Sequence, residues 1–154
     1  MPLDAIDVAT ASKHKEIEYL ISTLQADVVL LQETWLDASV EEFTLSNYIV
    51  LSRRDRSEEP NRGGIIAFCR PIIKNIIPWH QSDNAERSWY IIQRDTGSIA
   101  LCNWYRPPHN EEETIKTLET ELEQIKNVCD AVLITGDLNI HHTRWLRFSS
   151  GNTA

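Results

Sequence analysis

Asp27-Val28-Val29-Leu30-Leu31-Gln32-Glu33-Thr34 is the stretch whose reading decides the fold. Its apolar run is short, branched and continuous, as a strand covered on both faces should be. It follows a segment, residues 12–24, in which Ile17, Leu20, Ile21 and Leu24 fall at i, i+3, i+4 and i+7. That spacing predicts an amphipathic helix with these four side chains on its buried face. A second apolar run, Ala131-Val132-Leu133-Ile134, reads as another buried strand and leads into Thr135-Gly136-Asp137-Leu138-Asn139. Between the two runs, strands are expected at residues 48–51, 64–69, 73–79, 88–94 and 98–104, with Asp95-Thr96-Gly97 as a hairpin turn.

A second helix is expected after Pro107-Pro108, capped by Asn110 with Glu113 completing a capping box. Ile115, Leu118, Leu122 and Ile125 would form its buried face, and Glu111, Glu112, Glu119, Glu121 and Glu123 would lie largely in water. Helix, strand, a run of strands, helix, strand is the order of a mixed α/β (α+β) chain, with helices packed outside its sheets.

Hydrophobic residues make up 42% of the 154, and charged residues 25%, the balance of a soluble globular domain. No stretch approaches the ~18 apolar residues of a membrane span, so no membrane partner is expected. The start, Met1-Pro2-Leu3-Asp4, lacks the basic and apolar regions of a signal peptide. Cys69, Cys102 and Cys129 are odd in number and far apart, which reads as buried reduced thiols in an intracellular protein. Fifteen Lys and Arg against 23 Asp and Glu give a net charge of −8, which argues against nonspecific nucleic-acid binding by the whole surface. It leaves room for a local basic strip, and Arg53, Arg54, Arg56 and Arg62 form the obvious cluster, interleaved with Asp55, Glu58 and Glu59.

The chemistry lies at the two strand ends. Glu33 and Asp137 each follow a buried run, and a carboxylate there is costly unless paired, protonated or bound to a cation. Two carboxylates meeting at neighbouring strand ends would make a hard oxygen site suited to Mg²⁺ or Mn²⁺. Otherwise each acid caps its strand end or pairs with an arginine. Asn139, two residues after Asp137, would point to the same side in extended backbone. His141 and His142 are adjacent, and neighbouring strand residues face opposite ways, so the pair is a poor metal site. Trp35, Trp104 and Trp145 read as packing residues.

Leu31-Gln32-Glu33-Thr34, Trp104-Tyr105-Arg106-Pro107-Pro108 and Gly136-Asp137-Leu138-Asn139, in this order and spacing, resemble the endonuclease/exonuclease/phosphatase family. Within it they are most similar to the apurinic-endonuclease-like domains of non-LTR retrotransposons, from about Ala11 onward. The resemblance implies a four-layered α/β sandwich and Mg²⁺-dependent (or Mn²⁺-dependent) hydrolysis of phosphodiesters. It makes Glu33 a metal ligand, Asp137 the residue that orients or activates water, and Asn139 a contact to the scissile phosphate. Tyr105, on its own an ordinary strand aromatic, becomes a neighbour of that phosphate. Arg62, before Gly63-Gly64, and Arg106 are candidate substrate contacts, a surface salt bridge being the other reading for Arg106. DNA is the implied partner, a reverse transcriptase the implied lost fusion, and the nucleus the implied location.

Two departures accompany the resemblance. No Asn precedes Asn47, where family members carry one at the end of a first strand. The family's late Asp and terminal Asp-His pair find no match before Ala154. The expectation is therefore one incomplete domain over residues 1–154, with impaired catalysis. A noncatalytic remnant that binds nucleic acid or protein, or an enzyme acting on nucleotides or phospholipid headgroups, are the competing readings.

Overall fold

The computed structural model describes residues 11–56, 63–108 and 112–140. Arg62, Asn110, Glu111, His141, His142 and Trp145 lie outside the described residues. In chain order the elements are α1 (Ala11–Leu24), β1 (Val28–Gln32), β2 (Ile49–Arg54), β3 (Ile65–Cys69), β4 (Ile76–Gln81), β5 (Glu86–Arg94), β6 (Gly97–Tyr105), α2 (Glu113–Ile125) and β7 (Ala131–Asp137). One sheet runs β1-β3-β2 and the other β4-β5-β6-β7. All pairs are antiparallel except β6 with β7, which are joined through α2 and run parallel. Arg94 pairs with Gly97 at the β5–β6 turn, where Gly97 has φ +124°.

Strand alternation sorts the side chains into four layers. On β1 and β3, Val29, Ile66 and Phe68 face Ile17 and Ile21 of α1. Their neighbours Val28, Leu30, Ala67 and Cys69 face the second sheet, where Ile76, Tyr90 and Leu101 meet them. The far side of that sheet, with Trp89, Ala100, Cys102 and Trp104, is covered by α2 through Leu118, Leu122 and Ile125. The four-layered sandwich is thus formed, and β1 is covered on both faces as its sequence predicts. Cys69, Cys102 and Cys129 are free thiols, the first two buried. No helix among the described residues is long and apolar enough to cross a membrane.

Four expectations need correction. The contact of α1 with its sheet is a narrow seam through Ile17 and Ile21, which leaves Leu20 and Leu24 on the flanks and exposed. Strand β7 is not buried: Val132 and Leu133 are 43% and 53% exposed, because β7 is the outer strand of its sheet among the described residues. Helix α2 begins at Glu113 with Glu112 at the N-cap position and no side-chain cap. It turns Thr114, Glu121 and Ile125 inward and leaves Ile115 exposed.

Glu121 is the sharpest reversal, since the sequence places it in water and the fold buries it at 2% exposure. Its Oε2 accepts 2.7 Å bonds from Arg87 Nε and Trp89 Nε1. Arg87 is itself fully buried, stacks on the Trp104 ring with Cζ 4.5 Å from the centroid, and donates to the Thr114 carbonyl at 3.2 Å. Burial alone would push the Glu121 carboxyl up, but hydrogen bonds led by that of Arg87 outweigh it and hold the group below its ordinary range. A depressed carboxyl adds stability that is present above its unfolded value, ~4.3, and lost as pH falls through the folded one. Glu121→Ala should therefore lower the unfolding free energy at neutral pH by ~3–5 kcal/mol, since it strands a buried guanidinium. Chemical denaturation at pH 7 and again at acid pH checks this: the deficit should shrink in acid.

Candidate active site

Strand β1 ends at Gln32, and the chain turns sharply there. Glu33 and Trp35 have φ of +51° and +52°, a left-handed conformation that costs a non-glycine residue ~1–2 kcal/mol. Two backbone bonds fix this turn to the glycine pair before β3: Thr34 N donates to Gly64 O at 3.3 Å and Trp35 N to Gly63 O at 2.8 Å. Thr34 is fully buried, and a Cβ on Gly64 would lie 2.7 Å from its Oγ1, so the two segments close only because Gly64 has none. The turn carries the Glu33 carboxylate across to the second sheet, near enough to the Tyr105 hydroxyl to favour its protonated form.

Tyr105 closes β6 and is 7% exposed. Burial, then the neighbouring Glu33 carboxylate, push its phenol far above the ordinary tyrosine range. The group is therefore a hydrogen-bond donor at any physiological pH. Its neighbours are set by register. Glu86 at the start of β5 lies opposite it on one side, and Asp137 at the end of β7 lies beside it on the other. The Arg56 guanidinium sits over its ring, Cζ 5.8 Å from the centroid, and Arg56 Nε meets Glu86 Oε1 at 2.5 Å.

The β7 end is organised by backbone. Arg106 N donates to the Asp137 carbonyl at 2.8 Å, Asn139 N to Asp137 Oδ1 at 3.1 Å, and Asn139 Nδ2 to the Arg106 carbonyl at 2.7 Å. Asn139 is close to Asp137 through this turn and not through strand alternation: β7 ends at Asp137 and Asn139 is left-handed, φ +45°. Asp137 is exposed and Glu33 half-buried, so neither acid is as deeply buried as its strand-end position suggests. The Arg106 guanidinium bends to the Leu138 carbonyl, 3.4 Å from Nη1. Trp104 is 3% exposed and buried in packing, as its sequence context predicts.

The structure thus gathers Glu33, Tyr105, Asp137, Asn139 and Arg106 where β1, β6 and β7 end. It adds Glu86, which sequence reasoning missed, and singles out Arg56 from its cluster. An acid near a strand start becomes visible as a site residue only when the β5–β6 register is known. Among the described residues no three His, Cys, Asp or Glu side chains converge as a ready metal cage.

A family model for the endonuclease/exonuclease/phosphatase family matches residues 8–153. The chain belongs to that family. A comparison with curated proteins by sequence gave no match. Among solved structures of the fold, the family member is similar to the AP endonuclease LMAP from Leishmania major, at 17% identity and a TM-score of 0.66, covering 91% of this chain and 54% of that one. It is also similar to the endonuclease domain of TRAS1, a telomere-specific non-LTR retrotransposon, at 17% identity and TM-score 0.63, covering 93% and 58%. A third is D. rerio TDP2 complexed with a single-strand DNA product, at 18% identity and TM-score 0.51, covering 92% and 58%. The chain spans little more than half the length of these structures.

Gly136, from the family-like Gly-Asp-Leu-Asn block, sets the approach of Asp137 to Tyr105. It has φ +129°, and a Cβ on it would fall 2.0 Å from the Trp104 carbonyl oxygen. Gly136→Ala should cost more than ~1–3 kcal/mol, because strain in backbone adds to a clash with backbone that cannot rotate away. Urea unfolding of the variant measures it; a loss of a few tenths of a kcal/mol would show that the β6–β7 contact is looser than described.

Proposed function

We propose that the chain carries a metal-dependent phosphodiesterase site, and that its substrate is DNA, cleaved as a retrotransposon-type endonuclease would cleave it. The observation that carries this reading is the meeting of Glu33 with Tyr105, which stands in register beside Asp137. An acid, a phenol donor and a second acid from three strand ends converge at the seam between the sheets. DNA as substrate is supported by what the similar structures are named for: an AP endonuclease, a retrotransposon endonuclease domain and a protein holding a single-strand DNA product.

The donor set suits Mg²⁺ or Mn²⁺, hard cations that are bound through one or two carboxylates with water and substrate oxygens completing the shell. Glu33 is the proposed ligand, and the ion when bound would offset the negative charge that develops on the phosphate. The protein's own residues do the rest. Asp137, exposed to solvent, accepts a proton from the water that attacks phosphorus, or orients that water in line with the departing oxygen. Tyr105 keeps its proton and donates to a non-bridging phosphate oxygen as charge accumulates there. Asn139, held by its own turn, presents its amide to the same phosphate. Arg62 and Arg106 are proposed contacts to the flanking nucleic-acid backbone. A former fusion to a reverse transcriptase and a nuclear site of action belong to the same reading.

Mg²⁺ or Mn²⁺ should raise the melting temperature with concentration, by the equivalent of ~2.7 kcal/mol at a hundredfold excess over Kd. Glu33→Gln should remove most of that shift. With Mg²⁺, supercoiled DNA should be nicked, and Asp137→Ala should slow the nicking by at least ~10²-fold. A melting temperature indifferent to both ions would sink the metal site. An ion-stabilised protein that leaves supercoiled and abasic DNA intact would favour the noncatalytic remnant.

A further inference from the structure

Three arginines in the run Arg53-Arg54-Asp55-Arg56 leave β2 together, and the structure gives them different work. Arg53 is paired with Asp55 at 2.7 Å and donates to the carbonyls of Val40 at 2.7 Å and Asp37 at 2.9 Å, which staples the loop after β1. Arg54 donates to the carbonyls of Ser82 and Asp83 and ties down the β4–β5 loop. Arg56 alone among the three turns to the seam, where its guanidinium lies on the Tyr105 ring.

Glu86 holds it there with both oxygens in use: Oε1 takes Arg56 Nε at 2.5 Å, and Oε2 takes the Gly64 amide at 3.1 Å. The backbone leaves space for this pair. A Cβ on Gly63, φ +152°, would lie 2.7 Å from Arg56 Cζ and 2.8 Å from Glu86 Oε1. The pair therefore sits where no side chain larger than glycine fits opposite it, and the tether fixes the guanidinium on one face of the phenol. The seam needs such a charge. Glu33 and Asp137 flank Tyr105 with two carboxylates, and a phosphodiester arriving there would itself be an anion. A planar guanidinium stacked on an aromatic ring is the side chain best suited to meeting a phosphate oxygen beside that ring.

We propose that Arg56, tethered by Glu86, is a phosphate-binding residue of the nucleic-acid site, contacting the backbone phosphate next to Tyr105. The proposal rests on the reading of the seam as a phosphodiester site and names a contact which that reading does not include.

The test is binding of a fluorescein-labelled single-stranded oligodeoxynucleotide to the full chain, by anisotropy, over a range of salt. Ca²⁺ is present so that no turnover is needed. Removing one bond between a cationic side chain and a phosphate should lower the slope of log K against log salt by ~0.7. Arg56→Gln should weaken binding about tenfold and lower the slope by that amount. Arg56→Lys keeps the charge and should keep the slope while binding more weakly than the wild type. Glu86→Gln should weaken binding with the slope unchanged, because the charge remains and only its tether is gone. Arg94→Gln, a charge-matched change at the far end of β5, should leave affinity and slope as they are. If Arg56→Gln lowers affinity without changing the slope, or if neither changes, Arg56 is a structural ion pair and the proposal fails while the site reading stands. Should Arg56→Gln not fold, a lowered slope in Arg56→Lys overturns the proposal equally. If the wild-type chain binds no oligodeoxynucleotide at all, the proposal and the nucleic-acid reading fail together.

Discussion

Gln32 Nε2 donates to Asn103 Oδ1 at 2.5 Å, a side-chain bond that ties the two sheets together at the end where β1 and β6 finish. Asn103 is fully buried, and its own amide donates to the carbonyls of Leu31 at 3.3 Å and Ile66 at 3.4 Å. The apolar surfaces between the sheets (Ala67, Cys69, Ile76, Tyr90, Leu101) give burial but little orientation, since hydrophobic contact is non-directional. A buried amide left unpaired costs ~1–3 kcal/mol, so the sheets can slide past one another only by breaking these bonds. Glu33 is the next residue after Gln32, and Tyr105 is two residues after Asn103 on the same strand face. Fixing the amide pair therefore fixes the carboxylate against the phenol.

The second constraint is backbone strain. Glu33 and Trp35 accept left-handed geometry, and between them Thr34 is buried with no partner for its Oγ1 among the described residues. Left alone, such a turn would relax. It persists because Gly63 and Gly64 offer carbonyls to Thr34 N and Trp35 N, and because Gly64 leaves space for the threonine. The same two glycines give Glu86 an amide and Arg56 its place. One small turn thus serves both sides of the seam, in keeping with strain that is held at sites by over-determined surroundings.

Periodicity in the sequence reveals the layers, because strand alternation and helical spacing report which face of an element is apolar. They do not report what lies against that face. Leu20 and Leu24 continue the stripe of α1 beyond the width of the sheet it meets, and Val132 and Leu133 continue a strand-like run on an outer strand. Glu121 escapes local reading for the opposite reason: its partner Arg87 is 34 residues away, on a strand whose register no local pattern fixes. The site shows the same division. The Gln-Glu-Thr, Trp-Tyr-Arg-Pro-Pro and Gly-Asp-Leu-Asn blocks name Glu33, Tyr105, Asp137 and Asn139, which lie at or just past the ends of β1, β6 and β7. Alternation does not place Asn139, because β7 ends at Asp137 and Asn139 itself is left-handed. Arg56 is visible only as one charge in a mixed run until Glu86 and Tyr105 come into register across β5 and β6.

That distinction between local and global charge decides how a chain of net charge −8 can meet an anionic polymer. At physiological ionic strength the Debye length is ~8 Å, so exposed acids farther off than that are largely screened from an approaching phosphate. The exposed glutamates of α2, such as Glu119 and Glu123, then govern solubility more than recognition. A phosphate bound as proposed would meet the charge within a few ångströms of Tyr105, where half-buried groups are screened far less. There Glu33 and Asp137 stand beside the Arg56–Glu86 pair, whose two charges offset one another. Under the proposed function, such a seam would gain little from long-range attraction to DNA and would depend on close fit.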